Sequence, residues 1–366
     1  MKRSLPKYLI SSGLVLSLSA CVTQPLTHAS DDARYDALTS EKLAPFDSED
    51  AYRKWLRDSE RLEAKRRKAI QALRGDEDDL VVVTGSRIAS SPNITNVQNI
   101  GVDEGDIVKQ VDDHLVLMQD GRLFSLDIGT HTPKLTARIN IYDEADEDIW
   151  YDELLVSNRR LVVTGYHYGK DATEISVFDL DRNGQFSRQG TWYLGSEDYY
   201  SGDNSATRMI DDTLIFHTQN DVGDPSNFPI LRRKGQDQGQ AILRSDQIHP
   251  PLLRISNPAL HMVTECKVSQ ELTCNTRAVM AADGAEWIVT EESGFLWTAA
   301  PRMSWYLSRN LRPQKNTQPA TIYRFPLGTN EVDAVTLDAG LNSRFAFEVR
   351  NDSVLALVQS LSLIHI

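Results

Sequence analysis

One strand-rich unit recurs along the chain after residue 96, and this repeat restricts the possible folds more than any other feature of the sequence. Each unit has a polar turn, a strand in which apolar and polar residues alternate, a second turn and often another strand. The units lie at residues 111–128, 156–180, 209–220, 290–301 with 321–327, and 349–360. Alternation with a period of two predicts strands that are half buried in sheets.

The spacing of the units indicates the architecture. A leucine recurs at the same point of each unit, with successive separations of 46, 53, 82 and 59 residues, at Leu115, Leu161, Leu214, Leu296 and Leu355. A repeat of roughly 40–50 residues made only of strands is typical of propeller blades, whereas a sandwich has no such long period. We therefore predict an all-β fold, an incomplete beta-propeller over residues 97–366 with about four to five blade units.

The longest separation predicts an insertion at about residues 221–283, which carries five prolines, Pro225, Pro229, Pro250, Pro251 and Pro258. A closed propeller needs about six to eight blades, and an open one exposes two sheet edges. The final residues, "SLSLIHI", resemble translated adapter sequence. We therefore expect a chain truncated at its C-terminus; a genuinely short protein would take the missing blades from another chain.

One amphipathic α-helix is predicted ahead of the strands, at residues 47–75. Its apolar stripe follows helical spacing and comprises Tyr52, Trp55, Leu56, Leu62, Ala69, Ile70 and Leu73. Residues 51–74 include nine basic and three acidic residues, so this segment is +6 and the rest of a chain of net charge −13 is −19. Two placements of the helix are possible. Its apolar stripe docks on the folded body while its basic face lies in solvent, or the helix lies on anionic lipid. Residues 22–46 and 76–96 resemble a flexible tether and a linker.

The first segment, residues 1–21, predicts export and lipidation. Basic residues precede an apolar stretch from Leu9 to Ala20, which is shorter than the roughly 20 residues of a membrane-spanning helix and typical of a secretory signal. The stretch ends in "LSAC", which resembles the lipobox of bacterial lipoproteins. We expect acylated Cys21 to anchor the protein to a lipid bilayer of the cell envelope, and Val22 suggests the outer membrane. The alternative is an ordinary cleaved signal with an incidental cysteine.

Two further cysteines, Cys266 and Cys274, are separated by seven residues. In an oxidising compartment this spacing favours a disulfide that joins a hairpin, and such a bond stabilises a fold by about 2–3 kcal/mol in the chain-entropy model. A metal site would need more nitrogen or sulfur ligands, and only His261 is near. Two free thiols are the alternative.

Three acids lie close together in "GVDEGDIVK", residues 101–109: Asp103, Glu104 and Asp106. Adjacent acids can bind calcium, but neighbouring residues of a strand point to opposite faces and no calcium-binding loop motif is present. The alternative is that Asp103 and Asp106 bind backbone amides where the first blade begins, with Lys109 paired to one of them. We predict no metal and no cofactor, since the sequence also contains no Walker, Rossmann, zinc-protease or nucleophile-elbow motif.

The same segment resembles the start of a family of secreted bacterial beta-propeller domains distantly related to WD40 repeats, with Gly105 in place of the family's alanine. "SATRMIDDTLIFHTQN" and "TIYRFPL" are similar to its later blades. The resemblance covers residues 96–359 and implies a propeller behind a secretory or lipoprotein signal. It implies no catalytic residues.

These observations favour an envelope-anchored, non-catalytic binding or scaffold module for a protein partner. The negative charge argues against nucleic acid as the main partner. His114 and His217 occupy equivalent blade positions and are expected to be packed histidines. The alternative function is a propeller enzyme or a glycan-binding protein with its site in the central funnel. Five tryptophans could line a glycan-binding face or form the core between blades: Trp150, Trp192, Trp287, Trp297 and Trp305.

Overall fold

The computed structural model describes residues 41–74, 99, 101–142, 148–195, 207–253, 258–268, 271–299, 319–338, 340–341, 346–350 and 353–359. Within these ranges the chain forms four sheets of four or more strands, two further strand pairs and one α-helix, so the predicted all-β fold with a single helix is confirmed. The predicted signal, the lipidation site Cys21 and the linker at residues 76–96 lie outside the described residues.

Each large sheet is called a blade here, and strands are numbered β1–β25 along the chain. Blade 1 consists of β3 (Val108–Val111), β4 (His114–Gln119), β5 (Arg122–Asp127) and β6 (Lys134–Asn140). Blade 2 consists of β7 (Ile149–Ser157), β8 (Arg160–His167), β9 (Ala172–Leu180), β10 (Phe186–Gly195), β13 (Ile230–Arg233) and β14 (Gln240–Ala241). In both blades these strands are neighbours in chain order.

Blade 3 consists of β2 (Asp103–Glu104), β11 (Thr207–Ile210), β12 (Thr213–Asp221), β15 (Ile248–His249), β16 (Ala259–Val268) and β17 (Leu272–Ala281), in the spatial order β2-β11-β12-β16-β17-β15. Blade 4 consists of β1 (Glu41–Lys42), β18 (Ala285–Val289), β19 (Ser293–Ala299), β20 (Pro319–Pro326) and β21 (Asp333–Asp338), with β1 beside β21. A fifth unit pairs β22 (Gly340–Leu341) with β25 (Val358–Gln359) and β23 (Phe347–Arg350) with β24 (Ser353–Ala356).

A two-residue turn joins β3 to β4 in blade 1, β7 to β8 in blade 2 and β11 to β12 in blade 3. Its first residue is Asp112, Asn158 or Asp211, with φ of 50°, 53° and 49°. Short side chains such as Asp and Asn tolerate this left-handed conformation better than other non-glycine residues do. The polar turn that recurs in the sequence is therefore the same hairpin, repeated blade by blade.

The blades stack face to face in chain order. Blade 1 packs on blade 2 through Val116 and Phe178, and blade 2 packs on blade 3 through Trp192 and Leu214. Blade 3 packs on blade 4 through a cluster that includes Val263, Val279, Trp287 and Leu296. Blade 4 continues onto the fifth unit through a cluster that includes Trp297, Val349 and Val354. Blades 2, 3 and 4 therefore bury both of their faces between neighbours, which explains why the alternating polar residues of their strands are also buried.

Helix α1 (Glu49–Arg74) lies inside the predicted range and docks on blade 3 by its N-terminal half. Tyr52 is fully buried, and its hydroxyl donates a 2.7 Å hydrogen bond to the carbonyl oxygen of Gly223. Its ring packs edge-on against Phe46 and Phe228, above Ile248 and other apolar side chains of blade 3. Among the described residues, no helix is both long enough and apolar enough to cross a bilayer.

The residues before α1 bind a second blade. β1 is the edge strand of blade 4, and the backbone N–H of Leu43 continues the pairing with a 2.8 Å bond to the oxygen of Val332. The N–H of Phe46 then donates to the oxygen of Ile248 at 2.9 Å. Residues 41–56 therefore fasten blade 4 to blade 3 along their outer edges and cover an edge that would otherwise be free to pair.

The predicted insertion at residues 221–283 is only partly an insertion, and this expectation needs correction. β16 and β17 lie inside it and are ten-residue strands of blade 3. The true excursion lies between β12 and β16, where β13 and β14 extend blade 2 and β15 adds to blade 3. The prolines mark this excursion and not the strands that follow it.

Cys266 and Cys274 form a disulfide across β16 and β17. The two residues are direct partners in the sheet, with Cα atoms 4.0 Å apart. Cys266 is fully buried in the cluster between blades 2 and 3. The bond therefore joins a hairpin, as the spacing of the two cysteines indicated.

Candidate functional site

The acidic stretch at residues 101–106 runs between the first strands of three blades. β2 pairs with β11 of blade 3, and Asp106 then forms an isolated bridge with Leu154 of β7 in blade 2. That bridge has two backbone hydrogen bonds, of 3.1 and 2.7 Å. The chain next enters β3, the first strand of blade 1. This short segment therefore ties blades 1, 2 and 3 together at their inner strands.

Asp103 binds a lysine and a backbone amide. Its Oδ1 lies 2.7 Å from Lys109 Nζ, and its Oδ2 accepts a 2.8 Å hydrogen bond from the N–H of Val156. Lys109 is only 3% exposed and also donates to the carbonyl oxygen of Glu104. Burial raises the pKa of Asp103, and the attraction of Lys109 opposes that shift. The two residues therefore form an ion pair between blades in which the lysine is buried and the carboxylate is partly exposed.

Glu104 and Asp106 face other partners. The Oε1 atom of Glu104 lies 3.5 Å from Nε of Arg208, a residue that is 1% exposed. Asp106 accepts a 2.6 Å bond from the N–H of Ile107. The structure thus directs the side chains of Asp103, Glu104 and Asp106 to separate partners, and in the described part of the chain no three His, Cys, Asp or Glu side chains form a group able to hold a metal.

Glu153 is a buried carboxyl group that the sequence did not reveal. It lies in β7 beside the acidic stretch and accepts hydrogen bonds from the hydroxyls of Thr207 and, at 3.3 Å, Thr164. Burial, with a smaller contribution from Asp152, raises the pKa of Glu153 to about 8. Its side chain is therefore mainly protonated and uncharged at neutral pH, which suits a site 7% exposed.

The position of the Glu153 side chain explains why residue 105 is a glycine. A Cβ atom at position 105 would lie 2.7 Å from Cδ of Glu153, too close for the two to coexist without movement. The family that the sequence resembles has alanine at this position. In this chain the carboxyl group of Glu153 occupies the space of that methyl group, so the departure from the family pattern has a packing cause.

The histidine His217 pairs with His261 in the core between blades 3 and 4. The Nε2 atom of His261 donates to the oxygen of Ala282 at 2.8 Å, so its Nδ1 accepts the 3.1 Å hydrogen bond from Nε2 of His217. Burial lowers the pKa of His261 to about 4 and that of His217 well below its ordinary value. Both rings are neutral, and that of His217, which is half-buried, stacks on Trp287. His114 is buried at the first position of β4, whereas His217 is the fifth residue of β12, so the two histidines do not occupy the equivalent blade positions that the sequence suggested.

The tryptophans separate into two groups. Trp192, Trp287 and Trp297 are 2%, 6% and 2% exposed and lie between blades, whereas Trp150 is 62% exposed; Trp305 lies outside the described residues. Trp150 is the cross-strand partner of Tyr166, whose ring packs edge-on against Tyr168 at 5.6 Å. Tyr168 is 42% exposed. Trp150, Tyr166 and Tyr168 together are called the aromatic patch below.

Comparison with known proteins gives one family match and two matches to solved structures. A family model described as "Beta propeller domain" matches residues 93–352, and no curated protein matches the chain. The WD40 domain of SCAP from fission yeast has 11% identity and a TM-score of 0.18, over 63% of this chain and 74% of that one. A structure from a study of two prolyl endopeptidases has 12% identity and a TM-score of 0.22, over 67% of this chain and 44% of that one. The family model spans well over half of the 366 residues, and the chain therefore belongs to the beta propeller domain family.

Proposed function

We propose that this protein is an envelope-anchored lipoprotein whose propeller is a non-catalytic binding or scaffold module for a protein partner. The propeller supports the coarser part of this statement, since a rigid stack of blades that presents loops and strand ends suits an interaction module. The lipobox-like sequence ending in Cys21 supports the anchor. The anchor would make the lipid bilayer a second partner of the protein.

The aromatic patch is the observation that carries the protein-binding proposal. Tryptophan and tyrosine supply much of the binding energy at protein interfaces, because they bury a large area and lose few rotamers. Trp192, Trp287 and Trp297 are buried in the core between blades, so an indole that is 62% exposed on a strand needs another explanation. Because these three tryptophans are buried, they cannot line a glycan-binding face, and the glycan-binding alternative has less support.

The backbone beneath the patch is held in place. Gly165 allows β7 and β8 to approach closely, because a Cβ there would lie 2.3 Å from the carbonyl oxygen of Trp150. On the opposite face of blade 2, Tyr151 donates a 2.8 Å hydrogen bond to Glu174, which also accepts one from Ser176 at 3.0 Å. A patch on such a support binds a partner with little loss of its own conformational entropy.

Site-specific photo-crosslinking in cells tests this surface. A photoreactive amino acid at position 150 of the full chain is expected to give one discrete protein adduct, whereas the same amino acid at the exposed position of Lys134 gives none. Excess wild-type protein should compete for the adduct, and Trp150→Ala protein should compete at least about tenfold less well, as for an interface hot spot. Equal adducts from both positions, no adduct at position 150, or equal competition by the two proteins would contradict the proposal.

Metabolic labelling with a radioactive fatty acid tests the anchor. The wild-type protein is expected to take up label and to fractionate with membranes, because acylation at Cys21 adds apolar chains that insert into the bilayer. The Cys21→Ser protein is expected to lose the label. Cys266→Ser/Cys274→Ser protein is the matched control and should keep it, since those thiols form the disulfide. Label retained by Cys21→Ser protein would disprove lipidation at this position.

A further inference from the structure

Helix α1 carries two different faces. Tyr52, Trp55 and Leu56 pack against blade 3. Ser59 and Glu63 follow on the same side of the helix and are less exposed than the residues of the opposite side. Five exposed cations recur at spacings of three, four, four and three residues: Lys54, Arg57, Arg61, Lys65 and Lys68. With about 100° of rotation per residue, these cations fall within an arc of about 80° that is centred opposite the docked face. They are called the cationic stripe here.

The cationic stripe is long and largely free of competing acids on its own helix. It spans 15 residues, from Lys54 to Lys68, and its two ends are about 21 Å apart along the helix axis. Arg61 is 76% exposed and lies 3.7 Å from Asp58, which is itself exposed. Outside residues 51–74 the chain has a formal charge of −19, so the helix is opposite in charge to the rest of the chain.

We propose that the cationic stripe binds a membrane surface made of phosphate-bearing, anionic lipid headgroups. The basis is charge complementarity, because a straight row of exposed lysines and arginines suits an extended anionic surface. An acidic body argues against nucleic acid as the occupant.

The docked face makes this surface available without a folding step. Tyr52 is fully buried and Trp55 packs in the same cluster, so α1 is already formed and oriented before it meets a membrane. A helix that is already formed does not lose the entropy of ordering on binding. Docking and lipid binding, which the sequence presented as alternatives, use opposite faces and are compatible. The proposal does not depend on acylation of Cys21.

Vesicle flotation with the full chain carrying Cys21→Ser tests the proposal, because acyl anchoring is then absent. The protein is expected to float with vesicles of phosphatidylcholine and phosphatidylglycerol, and not with vesicles of phosphatidylcholine alone. Changing all five stripe residues to Gln should weaken binding at least about tenfold, and high salt should release the parent protein. Circular dichroism checks that the fold is unchanged, as expected for exposed positions.

A charge-matched variant is the control. It changes five exposed cations of the blades and their loops to Gln: Lys134, Arg182, Arg244, Lys267 and Arg350. Its net charge equals that of the stripe variant, and it is expected to float like the parent. Equal loss of flotation in both variants would show that only net charge matters and would overturn the proposal. So would a stripe variant that still floats, or a parent protein that floats equally with neutral vesicles.

Discussion

Arg277→Met is expected to lower the free energy of unfolding by about 3–5 kcal/mol, as for removal of one partner from a buried ion pair. The side chain of Arg277 is 1% exposed and that of Glu265, its ion-pair partner, is 10% exposed. Arg277 also donates hydrogen bonds of 2.9 and 2.8 Å to the carbonyl oxygens of Pro326 and Glu331, and its guanidinium lies over the ring of Phe325. The substitution leaves a buried carboxylate and removes the bonds that join blade 3 to blade 4. Urea denaturation followed by tryptophan fluorescence measures the change.

Lys267→Met is the matched control for Arg277→Met. Lys267 lies on β16, two residues from Glu265, and its ion pair with Asp212 is exposed on both sides. Such surface pairs contribute about 1 kcal/mol or less, so a small change is expected. Adding Glu265→Gln to Arg277→Met should recover part of the loss, because the amide can still accept the 2.8 Å bond from the N–H of Gly328. Equal stability of the Arg277→Met and Lys267→Met proteins would contradict this account.

Lys109→Met is expected to cost about 2–4 kcal/mol, somewhat less than Arg277→Met, because Asp103 keeps 21% exposure and the Val156 amide. Burial already raises the pKa of Asp103 above the ordinary value of 3.8, and Lys109 is the main influence that opposes this shift, so its removal raises the pKa further. A folded-state pKa above the unfolded one means that stability is lost as pH rises through that range. The deficit of the variant should therefore be larger at neutral pH than near pH 4, measured by urea denaturation at each pH.

The control for Lys109→Met is Lys134→Met, an exposed lysine on β6 of the same blade. It is expected to change stability little at either pH. Asp103→Asn combined with Lys109→Met should restore part of the stability and remove the excess pH dependence, because no charge is then left unpaired. If the loss of unfolding free energy in the Lys109→Met protein does not change with pH, Asp103 is not the charged group that lost its partner.

The strands of the blades were predictable because each has enough residues to display a period of two. Leu115, Leu161, Leu214 and Leu296 lie in β4, β8, β12 and β19, where the repeat placed them. The two-residue strands β1 and β2 were not predictable, because two residues display no period. Each pairs with a strand more than 100 positions away, β21 or β11, and only the folded stack brings these partners together.

The buried polar residues were hidden by the same alternation that revealed the strands. Glu153, His261 and Arg277 occupy polar positions of alternating strands, which the sequence associates with solvent. In a stack of blades both faces of a sheet are covered, so these side chains lie against a neighbouring blade. The carboxylates Asp103, Glu104 and Asp106 were visible in the sequence, but Arg208 and Val156, which fix two of them, lie on strands much further along the chain.

The attachment of residues 41–56 along the outer edges has a mechanical consequence. Tension applied from the N-terminal side would first peel β1, only two residues long, from the rim of blade 4. It would next pull Phe46 and then Tyr52 out of blade 3. The force would act on the disulfide-linked hairpin of β16 and β17 only after these contacts had broken. The N-terminal segment would therefore detach in steps while the stacked sheets stayed folded.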